Sequence, residues 1–197
     1  AGTATAYLKV RKNSKAAKMF ESAASLTYAL PGIVLALAMI FHWTIVPGVY
    51  GTVKILMIAY ATRYVVLQIK GSTTAMLSVE PALEEAGRVF GAGKVTIWRK
   101  IMIPVMAKQI LSSSFLIFVS SLTELTLSSM LASAGTKTIG LTIFNLQQGG
   151  DYSLSAAMSA VIVFIVFFVY SLVALVKKKD EEDAKRPKAQ LDQCSYI

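Results

Sequence analysis

Leu154–Val176 reads LSAAMSAVIVFIVFFVYSLVALV, 23 residues without a formal charge, and runs straight into Lys177-Lys178-Lys179-Asp180-Glu181-Glu182-Asp183. At 1.5 Å per residue a helix of this length covers the roughly 30 Å hydrocarbon core of a bilayer. The rest of the chain has the same character. AVILMFWYC residues make up 55% of the 197 and DEKR only 16%, with a mean hydropathy of +0.59. A soluble domain of this size needs more polar surface than these residues supply. The single cysteine, Cys194, excludes an internal disulfide framework and a cysteine-based zinc site. A formal charge of +9 would point to nucleic acid in a soluble chain. In a membrane chain it has another origin, and no nucleic-acid partner is expected.

Working back from the last span, three further apolar stretches appear. Val105–Leu131 is rich in Ile, Leu, Phe and Ser, with Lys108 near its start and Glu124 well inside. Thr52–Ile69 is shorter and holds Lys54 and Arg63, while Ala23–Val46 runs for 24 uncharged residues. None has the pattern of a cleavable signal peptide. Basic residues alternate between the connections: Lys9 to Lys18 precede the first span, Lys70 to Lys108 lie between the second and third, and Lys177 to Lys188 follow the fourth. That is 17 on one side against Lys54 and Lys137 on the other, with Arg63 inside a span. Excess Lys and Arg mark cytoplasmic connections. The expected fold is therefore an all-α, polytopic transmembrane helical bundle with four spans (about 23–46, 52–69, 105–131 and 154–176). Both termini are expected in the cytoplasm of a cell whose inner membrane holds the chain: a basic segment over 1–22, a membrane domain over 23–176 and a charged tail over 177–197.

The connections differ in information content. His42–Gly51 (HWTIVPGVYG) reads as a tight outer turn with Trp43 and Tyr50 at interface depth. Ala132–Ser153 is either a plain outer loop or a short amphipathic or re-entrant element. The middle connection, Met76–Pro104 (MLSVEPALEEAGRVFGAGKVTIWRKIMIP), predicts two short helices. Pro81 suits a first helical turn, with Glu80, Glu84 and Glu85 near its positive end. Leu83, Ala86, Val89 and Phe90 follow at helical spacing. Gly91-Ala92-Gly93 stops that helix, and a second runs over roughly 94–101 before Pro104 opens the third span.

Glu85-Ala86-Gly87, three residues, Gly91, nine residues and Ile101-x-Ile103-Pro104 resemble the EAA motif of the membrane subunits of binding-protein-dependent ABC importers. Gly87 stands where the motif has Ala and Ile103 where it has Leu, and the spacing is kept. The resemblance implies a coupling loop over 76–104 that lies in a groove of a cytoplasmic ATPase subunit, with Glu84, Glu85, Ala86, Gly87, Gly91, Ile101 and Pro104 as its coupling residues. Glu85 would be the polar anchor, Gly91 the turn and Pro104 the lead into the next span. Tyr28-Ala29-Leu30-Pro31-Gly32, Ser121-Leu122-Thr123-Glu124-Leu125 and Gly149-Gly150-Asp151-Tyr152 resemble the iron(III)-type branch, which includes iron, thiamine and aminoethylphosphonate systems. Such a unit has six spans, so the chain reads as a fragment or processed part of a longer permease. The implied partners are an ABC ATPase dimer, a second permease half, an extracytoplasmic solute-binding protein and the lipid bilayer. ATP and magnesium would bind the ATPase, with no cofactor, metal or catalytic residue in this chain.

Polar groups inside the spans are the other candidates. Glu124 sits among Ser120, Ser121, Thr123 and Thr126, and a carboxylate in lipid costs on the order of 3 kcal/mol, so it should face protein or a water-filled cavity. It reads as a translocation-path group or as a helix-packing contact. Arg63 reads as a snorkelling cation or as the partner of an acid such as Glu124. Two other classes fit the same spans: an ion-coupled secondary transporter or channel subunit, in which Arg63 and Glu124 carry the coupling charge, and a non-transport membrane scaffold. No glycine-rich phosphate loop ending in Lys-Ser/Thr occurs, and nothing in the sequence points to an enzyme.

The expected topology is open to a labelling test. With Cys194 replaced, cysteines at Ser14 and Lys94 should be shielded from an impermeant thiol reagent outside intact cells, and one at Thr136 should react. Labelling of Lys94→Cys from outside would overturn the arrangement.

Overall fold

The computed structural model describes the backbone of residues 2–194, with side chains described through residue 176 and at Lys178. Among these residues every regular element is helical: α1 (Gly2–Val10), α2 (Lys15–Ala29), α3 (Gly32–Trp43), α4 (Val53–Leu77), α5 (Pro81–Val89), α6 (Lys94–Ile97), α7 (Ile103–Leu122), α8 (Thr126–Leu131), α9 (Ile139–Gln148) and α10 (Tyr152–Cys194). A π-turn, Trp98–Met102, joins α6 to α7. The side chains of the charged tail, apart from Lys178, and residues 195–197 lie outside the described residues.

Two helical runs are long and apolar enough to cross a membrane, Lys94–Leu122 and Tyr152–Val176, and the pair α2–α3 makes a third if its bend is counted as one span. The helix boundaries subdivide or extend the four expected stretches in three places. The stretch 23–46 is two helices bent by 111°. Its cause is Pro31, whose ring disfavours helical backbone at the residue before it. Leu30 accordingly turns extended, with φ −64° and ψ 141°, and α3 restarts at Gly32. The stretch 105–131 is interrupted at 123–125, so α7 ends at Leu122 and α8 is a separate six-residue helix. The segment 52–69 belongs to the 25-residue α4, which carries Lys54, Arg63 and Lys70 and is too polar to qualify as a span by composition.

The first 22 residues are also more than a basic segment. They form α1 and the first half of α2, helices that both pack against α4, with Ala6 and Ala17 buried. Helix α4 is the pillar. Its N-terminal half packs Ile55, Leu56 and Ala59 against Leu35 and Ala36 of α3 and Leu127 and Leu131 of α8. Its other half packs Ala75 and Met76, with Val79 beyond its end, against Ile97, Met102 and Met106. Helix α10, by contrast, exposes Val163, Phe164, Phe167 and Phe168, the surface expected of a helix whose solvent is lipid. The connection 132–153 contains α9, capped by Thr138, whose hydroxyl accepts the Leu141 N–H at 3.3 Å.

Pro104 stands in the first turn of α7, directly after the π-turn. It sits in a helical run from Lys94 to Leu122 and lacks the N–H that would bond to Lys100. The turn before it relaxes to π geometry, with the Ile103 N–H bonded to the Trp98 carbonyl.

Gly32 marks the closest approach of the fold. A Cβ there would collide with the Thr126 side chain, so α3 rests directly on α8. Gly32→Val should destabilise by about 1–3 kcal/mol through overpacking, seen as a lower melting temperature of the solubilised protein. Ile33→Val on the exposed neighbour should leave it unchanged.

Candidate functional site

The two helix breaks lie side by side, and side chains of α4 stitch them. At the first, the Leu30 carbonyl accepts a hydrogen bond from Arg63 Nη1 at 3.2 Å. At the second, Glu124 Oε1 accepts the Leu127 N–H at 3.1 Å and the Thr126 hydroxyl, which satisfies donors at the start of α8. Glu124 Oε2 accepts the Tyr64 hydroxyl and lies 3.6 Å from Arg63 Nε. Tyr64 is also within reach of the Ser120 carbonyl at 3.2 Å. The side chains of Arg63 and Glu124 are 16% and 9% exposed, so this is a nearly dry ion pair with hydrogen bonds on both oxygens of the acid.

Aromatic rings close the cluster. Tyr28 and Tyr60 each meet Tyr64 edge-on, at 6.4 and 6.2 Å between centroids. Arg63 Cζ lies 5.9 Å from the Tyr28 ring centroid, a cation–π distance. Tyr60 reaches the Ser128 hydroxyl. Of the residues singled out from sequence, the structure thus brings Arg63, Glu124 and the Ser120 backbone together, with Ser121 half-buried next to them. Tyr64 and the Leu30 carbonyl were not foreseen. The spacing of Tyr60 and Tyr64, one helical turn apart around Arg63, was the available signal.

The second candidate region is α5 and its turn. Helix α5 has two faces. Glu84 is buried and holds Arg11 of the α1–α2 turn through a 2.7 Å bond to Nε, while Arg11 Nη2 donates to the Val79 carbonyl at 2.7 Å. Gly87 is buried against α6 and the π-turn, where an added Cβ would stand 3.1 Å from Ile97 Cγ1 and 3.2 Å from Ile101 Cδ1. That crowding suits Gly better than the Ala of the motif. Glu85 and Ala86 face outward with Leu83, and Val89 and Phe90 are 85% and 88% exposed. Gly91 turns the chain at φ +75°, in the left-handed region that other residues avoid. Glu84 therefore points into the fold and Glu85 away from it. Ile101 is half-buried and Pro104 exposed. Arg11 was read only as a topology signal, because its partner lies 73 positions away.

A bundle of apolar helices, two of its runs broken beside a charged central helix and one carrying an exposed two-helix connection, defines a polytopic membrane transport component. The chain belongs to the family described as binding-protein-dependent transport system inner membrane component, which matches residues 1–179. It is 26% identical over 164 residues to the ferric transport system permease protein FbpB of Actinobacillus pleuropneumoniae, covering 82% of this chain and 24% of that one. It is 24% identical over 141 residues to the Fe(3+)-transport system permease protein FbpB 2 of Haemophilus influenzae, covering 70% and 28%. The chain thus spans about a quarter of the length of these curated relatives. Its fold is similar to a chain of the MetNI methionine ABC transporter in an inward-facing conformation, with a TM-score of 0.68 at 18% identity over 88% of this chain and 82% of that one.

The stitching makes a quantitative expectation. Glu124→Gln and Arg63→Gln each strand one charge, so each should destabilise the full-length protein, and the double variant should cost less than their sum. A coupling of about 1–3 kcal/mol is expected from a thermodynamic cycle on melting or denaturant transitions. Strict additivity would reduce the pair to coincidental proximity.

Proposed function

We propose that this chain forms part of the membrane-spanning subunit of an ATP-driven importer, in which α5, the Gly91 turn and α6 dock on a separate cytoplasmic ATPase. Family membership supports the class, and the observation that carries the coupling role is the division of α5 into two faces. One face is tied inward by Arg11–Glu84 and Gly87. The other presents Leu83, Glu85, Val89 and Phe90 to the outside. Exposed Val and Phe beside a carboxylate, on a short helix held rigidly from behind, form a surface suited to a protein groove. On this reading the termini and α5–α6 are cytoplasmic, α9 faces an extracytoplasmic binding protein, and a second permease half completes the path. The partner ATPase binds ATP and magnesium and performs the hydrolysis.

The Lys94–Leu122 helix connects the docking surface to the Glu124 break. Movement of α5–α6 on ATP binding would be delivered to the place where the Leu30 carbonyl, Arg63 and Glu124 meet. We assign the path past this cluster to the solute, and ferric iron is the solute class that the names of the relatives support. The ion pair is then a positioning element whose geometry differs between open and closed states.

Phe90→Ala and Glu85→Lys in the full-length permease should each weaken co-purification of the ATPase by about tenfold or more. Each should lower solute uptake by a similar factor at matched membrane levels. Glu85→Gln should be milder. Undiminished ATPase association and uptake in both variants would sink the coupling role. Normal association with a failure of ferric uptake in the unsubstituted protein would keep that role and remove iron as the solute.

A further inference from the structure

Beside α5, on the side away from its exposed apolar face, a cleft of about 550 Å³ opens between the end of α1 and the α5–α6 turn. Its volume is in the range of small-molecule sites. Lys12, Arg88 and Lys94 line it together with Tyr7 and Trp98. Among the described residues neither Lys12 nor Lys94 has an ion-pair partner, and Arg88 approaches only Glu84, at 3.7 Å. Glu84 is already engaged by Arg11 at 2.7 Å. With Arg11, Lys12, Arg88 and Lys94 set against Glu84 and Glu85, two positive charges remain in excess around the cleft and its adjoining rim.

Tyr7 and Trp98 are shared with a second, mostly apolar groove of about 640 Å³ that runs between α1 and the start of α7, past Ala4, Leu8, Ile103 and Ile110. The two rings pack edge to face at 5.1 Å. A basic cleft and an apolar groove that share Trp and Tyr in their walls have the division of an anionic lipid: charge at one end, hydrocarbon at the other. Trp and Tyr favour the depth at which headgroup meets chain. Basic pockets between helices at a membrane surface suit phosphate headgroups.

We propose that this composite site binds one anionic phospholipid, with its headgroup phosphate on Lys12, Arg88 and Lys94 and an acyl chain along the α1–α7 groove. The lipid would brace the α5–α6 connection against α1 at the point where Arg11 already holds Glu84. A protein occupant explains the basic cleft but not its continuation along a membrane-length helix. The inference does not rest on docking of an ATPase or on the identity of the solute.

The test uses the full-length permease in vesicles of phosphatidylcholine containing either brominated phosphatidylglycerol or brominated phosphatidylcholine. Bromine quenches nearby tryptophan, and the Trp98 signal is isolated as the difference between the parent and Trp98→Phe. That signal should be quenched at least about threefold more strongly by brominated phosphatidylglycerol at equal mole fraction, a conservative value for three basic contacts. In Lys12→Gln/Arg88→Gln/Lys94→Gln the two lipids should quench alike, while the melting temperature reports that the variant is folded. Equal quenching in the parent, or a preference that survives in the folded triple variant, would overturn the site. A preference abolished by millimolar inorganic phosphate would assign the cleft to a soluble anion, and one abolished by adding the ATPase would assign it to a protein. Either result would also overturn the proposal. Should the triple variant fail to fold, Lys12→Gln and Lys94→Gln on their exposed positions must each reduce the preference, and failure of both to do so rejects it.

Discussion

The guanidinium of Arg63 occupies the point where two interrupted helices meet. A helix that stops inside a bilayer strands carbonyls at one end and N–H groups at the next start, and each unpaired group costs several kcal/mol in hydrocarbon. Here the Leu30 carbonyl is taken by Arg63, and the Leu127 N–H is taken by Glu124. The charges that satisfy the two breaks lie 3.6 Å apart. One ion pair therefore removes two backbone penalties as well as its own desolvation problem. Tyr64 completes the acid's hydrogen bonding from α4. Without Glu124 the Arg63 charge is stranded against a carbonyl and an aromatic face. Without Arg63 the first break loses a donor.

This arrangement explains why a long helix with three basic residues along its length is also the most enclosed. Helix α4 carries Lys54, Arg63 and Lys70 and is contacted by α1, α2, α3, α7 and α8. Its lipid exposure is small, so it has no need of an apolar circumference. Lys54 lies near its N-terminal end and Lys70 on an exposed face, while Arg63 is paired. Over residues 152–176, helix α10 obeys the opposite rule: it has few protein neighbours and is apolar nearly all round. Hydropathy reads contact with lipid, and here it selects the peripheral helix while missing the central one.

That contrast separates what the sequence discloses from what it conceals. The all-helical membrane class, the apolar stretch 154–176 and the two-helix connection with its turn at Gly91 follow from composition, periodicity and glycine placement, all local. The 111° bend at Pro31 was only half legible: proline marks the position, but the packing of Gly32 on Thr126 decides that the chain turns there instead of kinking slightly. The break at 123–125 has no proline or glycine to announce it. Its stability comes from Glu124 accepting a backbone N–H, with Arg63 and Tyr64 arriving from 60 or so positions earlier. Arg11 and Glu84 are paired across a similar separation. Contacts of that range leave no trace in a local window, so the site was named in part and its hydrogen-bond logic was not.

The distance between the two candidate regions is bridged by a single element. From Lys94 to Leu122 the chain is helical for 29 residues, about 43 Å at 1.5 Å per residue. One end follows the Gly91 turn and the other stops at the Glu124 break. A rod transmits displacement only if it does not yield on the way, and the π-turn at Trp98–Met102 is where this one would yield, since Pro104 has removed a hydrogen bond there. The packing answers that weakness. Met102 is fully buried, and Ile97 and Met106, nearly so, flank it on the same face against Met76 and Val79, while Trp98 leans on Tyr7. The turn is thereby pinned to α1 and to the end of α4, the same two elements that carry Arg11 close to Glu84 and Arg63 to Glu124. A push on α5 cannot be absorbed by local unwinding without emptying that cluster. On the proposed coupling role it would move the rod as a body, and the first non-helical backbone it would meet is the 123–125 break, where Glu124 caps α8 and pairs with Arg63.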